Sequence, residues 1–221
     1  MTNSSAGTIG NIRKKCHETF ELISTSYHEA GHTVYGLLHL IKIESVSVFE
    51  NKKSKRIEGF THYDTPGLSQ FSDPELFNER LHAEIGLSYS GLVAEKRYFK
   101  MISGSEKFPM FLREGSSHDT TSAAALFQKY NLVEAGKKRY NYKQRFIKSV
   151  DQELQEHWDA VTLIAHGLIK KKRIYYPELQ QILTRKTEDK QFWKDQFKAL
   201  NYFYNNAESL DEKELKSMLS L

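Results

Sequence analysis

The sequence predicts a mainly α fold of the α+β class, in which a small β-hairpin or sheet element accompanies the helices. Three observations support this prediction. Apolar residues recur at helical spacing along most of the chain, and helix-capping residues precede several of these stretches. Alternating, β-branched sequence is confined to residues 41–63. A chain of 221 residues can bury one sizeable core, with or without an appendage.

The N-terminal part of the chain predicts a flexible arm followed by two helices. Residues 1–11 are small and polar, which is typical of a flexible terminus. A helix is predicted over residues 13–23. The run Ser24-Thr25-Ser26 then provides N-caps for a second helix that ends near residue 41. This second helix carries apolar residues at helical spacing, namely Val34, Leu37, Leu38 and Ile41.

The β element is predicted next. The segment IKIESVSVFE at 41–50 alternates and is rich in β-branched residues, and EGFTHY at 58–63 is a second short extended run. A polar stretch at 51–56 separates them. This arrangement predicts a β-hairpin.

A central helix is predicted after the hairpin. In SDPEL, Ser72 or Asp73 is the expected cap and Pro74 lies in the first turn, so the helix begins there and runs to about residue 99. Small residues allow a neighbouring helix to approach closely, and this helix has many in its middle: Ala83, Gly86, Ser88, Ser90, Gly91 and Ala94.

The remainder of the chain predicts further helices. Residues 101–117 are rich in Gly, Pro and Ser and predict a loop. After this loop we expect a helix that is capped by Ser116 or Ser117 and ends near residue 130, followed by a long helix over residues 142–171. Pro177 opens a short helix. Residues 188–221 form a charged, aromatic extension that is also expected to be helical.

The composition excludes several classes of protein. A net charge of +4 with both signs interspersed is too small to indicate nucleic-acid binding. The basic run at 170–173 is expected at a helix C-terminus, which cations stabilise. The single cysteine, Cys16, rules out an intrachain disulfide and a cysteine-based zinc knuckle. No apolar run approaches the roughly 20 residues of a membrane span, and the first residues lack the apolar region of a secretory signal. We expect a cytoplasmic protein without membrane spans or nucleic-acid partners.

The segment HEAGH at 28–32 predicts a metal site. Residues four apart lie on the same face of a helix, so His28 and His32 can direct ring nitrogens at one ion. Glu29 lies about 100° around the helix from His28, where it can reach a water on that ion. This is the H-E-x-x-H arrangement of two zinc ligands and a general base. Gly31 leaves room for a neighbouring backbone. The alternative is that both histidines merely face the core or the solvent.

The third metal ligand is not decided by the spacing. A catalytic zinc ion usually has three protein ligands and one open position. Glu95, His118 and Asp119 are the candidates. Asp119 also has a simpler explanation, because a carboxylate is favoured at a helix N-terminus.

Four segments together resemble the peptidase domain of the FtsH family of ATP-dependent zinc metalloproteases. HEAGH at 28–32 is similar to the zinc motif of the family, SGLVAEKRYF at 90–99 to its glycine-rich helix, and EGSSHDTTSAAALFQKY at 114–130 to its Gly-Ala-Ser-Asn-Asp segment. The segment at 157–183 is similar to its final helices. The resemblance covers roughly residues 14–185 and implies a helical, zincin-like metallopeptidase domain, which we place at residues 12–187.

The resemblance also implies roles for particular residues. Asp119 would be the third zinc ligand, and Glu95 a carboxylate that steadies the ligands from behind. The hairpin would present an edge that pairs with an extended substrate. His118 stands where the family usually has asparagine, so it stays an alternative ligand. The ATPase module and membrane spans of the family have no counterpart in the sequence, and no G-x-x-x-x-G-K-[ST] loop is present.

These observations favour a zinc-dependent endopeptidase with Glu29 as general base, acting on flexible or unfolded polypeptides. Delivery of substrate by a separate ATPase or unfoldase is a further expectation. The alternative function is a zinc-stabilised protein-interaction module with little or no proteolytic turnover. The aromatic extension at 188–221 is expected either to fold back onto the domain or to form a contact between identical subunits.

Overall fold

The computed structural model describes residues 4–64, 73–105, 107, 117–130, 137–206 and 212–219. The fold is mainly helical with a small antiparallel sheet, which confirms the predicted class. In chain order the elements are α1 (Ser4–Leu38), β1 (Lys42–Glu50), β2 (Ile57–Asp64), α2 (Pro74–Ser103), α3 (Ser117–Lys129), α4 (Lys137–Glu156), α5 (Trp158–Lys171), β3 (Arg173–Tyr175), α6 (Tyr176–Lys186), α7 (Lys190–Asn206) and α8 (Glu212–Leu219).

The first helix is continuous where two helices are predicted. Of the expected flexible arm at residues 1–11, residues 4–11 are helical and residues 1–3 lie outside the described residues, and α1 runs on through the predicted break at residues 24–26. Ser26 donates to the carbonyl of Leu22, four residues earlier, and Ser24 donates to the Glu95 carboxylate on α2. These serines cap no helix because α1 is continuous through them, so the N–H groups that a cap would serve are already bonded within the helix. The prediction of a break is wrong.

The predicted hairpin is confirmed, and the sheet has one more strand than the sequence predicts. β1 pairs with β2 and, on its other side, with β3, both antiparallel, in the order β2-β1-β3. β3 has only three residues and follows a basic run, so its sequence does not display the alternation of a strand. Its central residue, Ile174, is fully buried.

The central helix begins and packs as predicted. Asp73 caps α2, and its carboxylate accepts hydrogen bonds from the backbone N–H groups of Glu75 and Leu76. α2 packs against α1, α3 and α4. A Cβ at Gly31 of α1 would lie 2.5 Å from the carbonyl oxygen of Ser90 on α2, so the two backbones are close enough to require glycine there. This contact confirms the space expected at Gly31.

Several helix ends differ from the prediction. The pattern expected to form one helix over 142–171 is divided at His157 into α4 and α5. The His157 ring stacks on Phe192 of α7 at 4.7 Å, a long-range contact that carries no local signal. The predicted cap Ser116 lies outside the described residues, whereas Ser117 is the first residue of α3. The basic run ends α5 as expected, with Lys172 in the left-handed region at φ 68°.

The C-terminal extension folds back, which is the first of the two predicted alternatives. Four residues of α7 are at most 2% exposed: Trp193, Phe197, Leu200 and Phe203. Three of these belong to the core formed by α1 and the sheet. Gln196 also donates to the carbonyls of Leu37 and Leu38 at the end of α1. No helix in the described part of the chain combines the length and the apolar character that a membrane crossing requires.

Candidate metal centre

His28 and His32 lie side by side on the face of α1 that meets α2. Both residues are buried, at 7% and 8% exposure. Their Nε2 atoms are 3.0 Å apart. The helical spacing of the motif therefore brings two nitrogens to one point, as predicted from the sequence.

The other nitrogen of each ring is engaged by α2. His32 Nδ1 lies 2.7 Å from the carbonyl oxygen of Leu87, which can only accept, so Nδ1 carries the proton. His28 Nδ1 lies 3.4 Å from the carboxylate oxygen Oε2 of Glu95. In the neutral rings this arrangement leaves the Nε2 lone pairs available to a metal, as is usual for metal-binding histidines.

Asp119 in the first turn of α3 completes the group. Its Oδ2 atom lies 3.0 Å from His28 Nε2 and 3.4 Å from His32 Nε2. Ligands about 2.0–2.1 Å from a tetrahedral ion lie about 3.3 Å from one another. The three atoms therefore have the mutual spacing that such an ion requires, and these residues fit a metal.

The other two candidates for the third ligand lie elsewhere. Glu95 contacts the Nδ1 side of His28, away from the point where the Nε2 atoms meet, and its other oxygen accepts from Ser24 at 2.5 Å. The side chain of His118 is 92% exposed and points its Nδ1 no closer than 4.0 Å to Asp119 Oδ1. Among the residues that the structure describes, His28, His32 and Asp119 form the group that can hold an ion.

The charges in the group favour a cation. Burial tends to lower the pKa of His28, but hydrogen bonds to Asp119 and Glu95 and the charge of Glu29 raise it to about 10. Burial tends to raise the pKa of Asp119, but hydrogen bonds to His28 and His32 hold it well below its usual range. The surrounding carboxylates thus stabilise positive charge at the point where the three ligand atoms meet, and a bound metal ion would replace the proton held there.

Glu29 occupies a separate, defined position beside this group. It is 5% exposed and faces β2, where the Thr61 hydroxyl donates to its Oε2 at 2.6 Å. A Cβ at Gly59 would lie 2.3 Å from Glu29 Oε1, so a larger residue there would displace this carboxylate from its present position. Glu29 is therefore held by the strand, and its carboxylate is not one of the three ligand atoms.

A second glycine leaves space for the ligands themselves. A Cβ at Gly91 would lie 2.4 Å from His32 Nε2 and 2.6 Å from His28 Nε2. The backbone of α2 thus forms one wall of the centre. This contact gives a physical reason for glycine in the segment SGLVAE.

An open cleft of about 620 Å³ gives access to the centre. Residues of α1, β2, α2 and α3 line it, and they include the three ligands, Glu29 and the strand residues Gly59, Thr61 and Tyr63. Pockets of about 300–1,000 Å³ are typical of ligand sites. The cleft is large enough for a few residues of an extended peptide.

Some residues of the site are not predicted from the sequence. Thr61 and Gly59 position Glu29, Ser24 holds Glu95, and the carbonyl of Leu87 orients His32. Only Gly59 has a signal in the local sequence. A glycine inside a strand indicates that another group approaches the backbone closely.

The assignment of this centre rests on its geometry and its donor atoms. Two imidazole nitrogens and one carboxylate oxygen converge, and a second carboxylate stands beside them in the same cleft. Comparisons with models of protein families and with curated proteins find no match to this chain.

Proposed function

We propose that the chain is a zinc-dependent endopeptidase that hydrolyses peptide bonds in flexible or unfolded polypeptides. The observation that carries the proposal is the convergence of His28 Nε2, His32 Nε2 and Asp119 Oδ2, 3.0–3.4 Å apart, in a cleft that also contains Glu29. The resemblance of the segments around these residues to the FtsH peptidase domain supports the same function.

The donor set favours zinc among the divalent metals. Two imidazoles and one carboxylate are the ligands of many catalytic zinc ions, and three protein ligands leave one position open. When bound, zinc polarises a substrate carbonyl and lowers the pKa of a water ligand to about 7. Oxygen-rich sites of the kind that magnesium and calcium prefer have a different composition.

Glu29 is the proposed general base. Its hydrogen bond from Thr61 orients the carboxylate and uses one of its acceptor positions, so further positions remain for a water proton. As the water oxygen bonds to the carbonyl carbon, Glu29 takes the proton, and the carbonyl π electrons move to the carbonyl oxygen. When the C–N bond breaks, Glu29 delivers that proton to the leaving nitrogen.

The shape of the cleft supports an extended substrate. β2 borders the cleft, and in the described part of the chain its only paired edge is the one toward β1. An extended peptide can pair with such an edge through its backbone. Such pairing is disfavoured for a folded domain, because most of its backbone groups are already paired. Polypeptide is therefore the proposed substrate, and a separate unfoldase is a proposed partner for folded targets.

Metal analysis combined with a proteolysis assay tests the proposal. We expect about one zinc per chain and cleavage of casein that is lost with a chelator, restored by zinc, and absent in Glu29→Gln. Zinc binding without cleavage above the Glu29→Gln background would instead indicate the alternative, a zinc-stabilised interaction module. A protein without bound zinc after incubation with the metal would overturn the assignment of the centre.

A further inference from the structure

The inner face of β2 presents one residue that the proposed mechanism does not use. Gly59 and Thr61 contact Glu29, and side chains alternate between the two faces of a strand, so Tyr63 projects from the same face. In the sheet Tyr63 is opposite Ile43, which is fully buried in the core below. Tyr63 lines the same cleft as the three ligands and Glu29.

The Tyr63 hydroxyl makes no hydrogen bond within the part of the chain that the structure describes. Ser88 and Ser122, which also line the cleft, each donate to a backbone carbonyl four residues earlier, and Thr61 donates to Glu29. Among the residues that the structure describes, Tyr63 makes no such bond. Its side chain is 45% exposed, so the ring stands at the open side of the cleft with its hydroxyl group free to donate.

The surroundings of the Tyr63 hydroxyl raise its pKa, so the group stays protonated. Burial raises the pKa of Tyr63, and the negative charges of Glu84 and Asp119 raise it further. The group is therefore an O–H donor at neutral pH.

From this placement we propose that Tyr63 is a catalytic residue, whose hydroxyl donates a hydrogen bond to the oxyanion formed when water adds to the scissile carbonyl. This inference rests on the proposed function. The negative charge appears only as the carbonyl π electrons move to oxygen, so the hydrogen bond is stronger in the transition state than in the bound substrate. No proton is transferred from Tyr63 in this step.

Tyr63→Phe tests the proposal, because it removes the hydroxyl and keeps the ring. Kinetics are measured on a quenched peptide copied from a cleavage site in casein, with zinc content determined for every variant. Loss of one oxyanion donor lowers kcat by about 100- to 1,000-fold, whereas loss of a group that binds the ground state raises KM. We expect a kcat effect of that size, KM within about threefold of the wild type, and unchanged zinc. A phosphinic analogue of the same peptide, which mimics the tetrahedral oxyanion, should lose affinity in proportion to kcat.

The controls separate this inference from the proposed function. Tyr175→Phe changes a tyrosine of the same sheet that is 55% exposed and does not line the cleft, and it should retain wild-type kinetics. If the wild type is active, Glu29→Gln is inactive and Tyr63→Phe is as active as the wild type, the role of Tyr63 is refuted and the proposed function stands. A raised KM with unchanged kcat, or lost zinc, in Tyr63→Phe also refutes the role. A zinc-loaded wild type without activity overturns both.

Discussion

Gly91 of α2 lies directly against His32 of α1, so closely that a Cβ at position 91 would be 2.4 Å from its Nε2 atom. The same Cβ would be 2.6 Å from Nε2 of His28. Both contacts are shorter than any that real Cβ atoms make, so one helix or both imidazoles would have to shift. The geometry of the candidate metal centre therefore depends on a residue that has no side chain of its own.

Gly91→Ala should abolish zinc binding while the chain stays folded. The added methyl group would lie 2.4 and 2.6 Å from the two Nε2 atoms, so both imidazoles would have to move from the positions in which they meet Asp119. Zinc content by elemental analysis and helix content by circular dichroism check this prediction. Ser88→Ala, on the same helix and in the same cleft, is the matched control and should keep its zinc. A Gly91→Ala protein with full zinc would show that the helices separate easily.

Replacement of each of the three candidate ligands by alanine should change the zinc affinity to a different extent. Asp119→Ala should lose zinc, because it removes one of three ligand atoms. Glu95→Ala should retain the centre but bind zinc about 10- to 100-fold more weakly, since this carboxylate orients the His28 ring from its Nδ1 side. His118→Ala should bind zinc as the wild type does. Zinc titration against a competing chelator measures all three, and full affinity in Asp119→Ala would contradict the assignment.

The parts of this molecule that the sequence predicts are those with a local signal. HEAGH places both histidines on one helix face through a spacing of four, Asp73 caps α2 through its own side chain, and the hairpin follows from alternation. Long-range contacts decide the rest. Ser24 looks like a helix cap, yet it bonds to Glu95, 71 positions away in sequence.

The third ligand is likewise decided by long-range packing, which the local sequence does not show. Spacing leaves Glu95, His118 and Asp119 as alternatives, because each lies on a later segment whose position relative to α1 depends on packing. The packing of α3 brings Asp119 Oδ2 to both Nε2 atoms, whereas the adjacent His118 faces solvent. The resemblance to a known family, and not the spacing, indicates Asp119 before the fold is known.

Glu29→Gln should abolish hydrolysis and leave zinc occupancy nearly unchanged. Glutamine keeps the shape of the side chain but cannot accept the proton, and loss of a general base typically costs about 10²–10⁴ in rate. Initial rates on casein, together with zinc content, check this prediction. Glu58→Gln changes another carboxylate that lines the cleft and serves as the control. Wild-type turnover in Glu29→Gln would mean that another base or a contaminant is responsible.

Cleavage should depend on how loosely the substrate is folded. The proposed substrate is extended chain, and a domain stable by about 5 kcal/mol is unfolded for only about 10⁻⁴ of the time. A stable domain and a destabilised variant of it, with the same cleavage sequence, make a matched pair of substrates. We expect the stable form to be cleaved slower in proportion to its unfolded population. Equal rates would show that the protein cleaves folded chains without assistance.

Truncation of the aromatic residues of α7 should destabilise each chain without changing the size of any assembly. Trp193 and Phe197 are 1% and 2% exposed, and both belong to the core that α1 and the sheet share. Replacement of a buried Phe or Trp by Ala typically lowers the free energy of unfolding by about 3–5 kcal/mol. Denaturant unfolding of Trp193→Ala and Phe197→Ala measures this loss, and light scattering measures the assembly.

Tyr202→Ala on the same helix is the control, because Tyr202 is 48% exposed and its truncation should change stability by no more than about 0.5 kcal/mol. A smaller assembly with unchanged stability in the Trp193 or Phe197 variant would mean that α7 serves a contact between subunits.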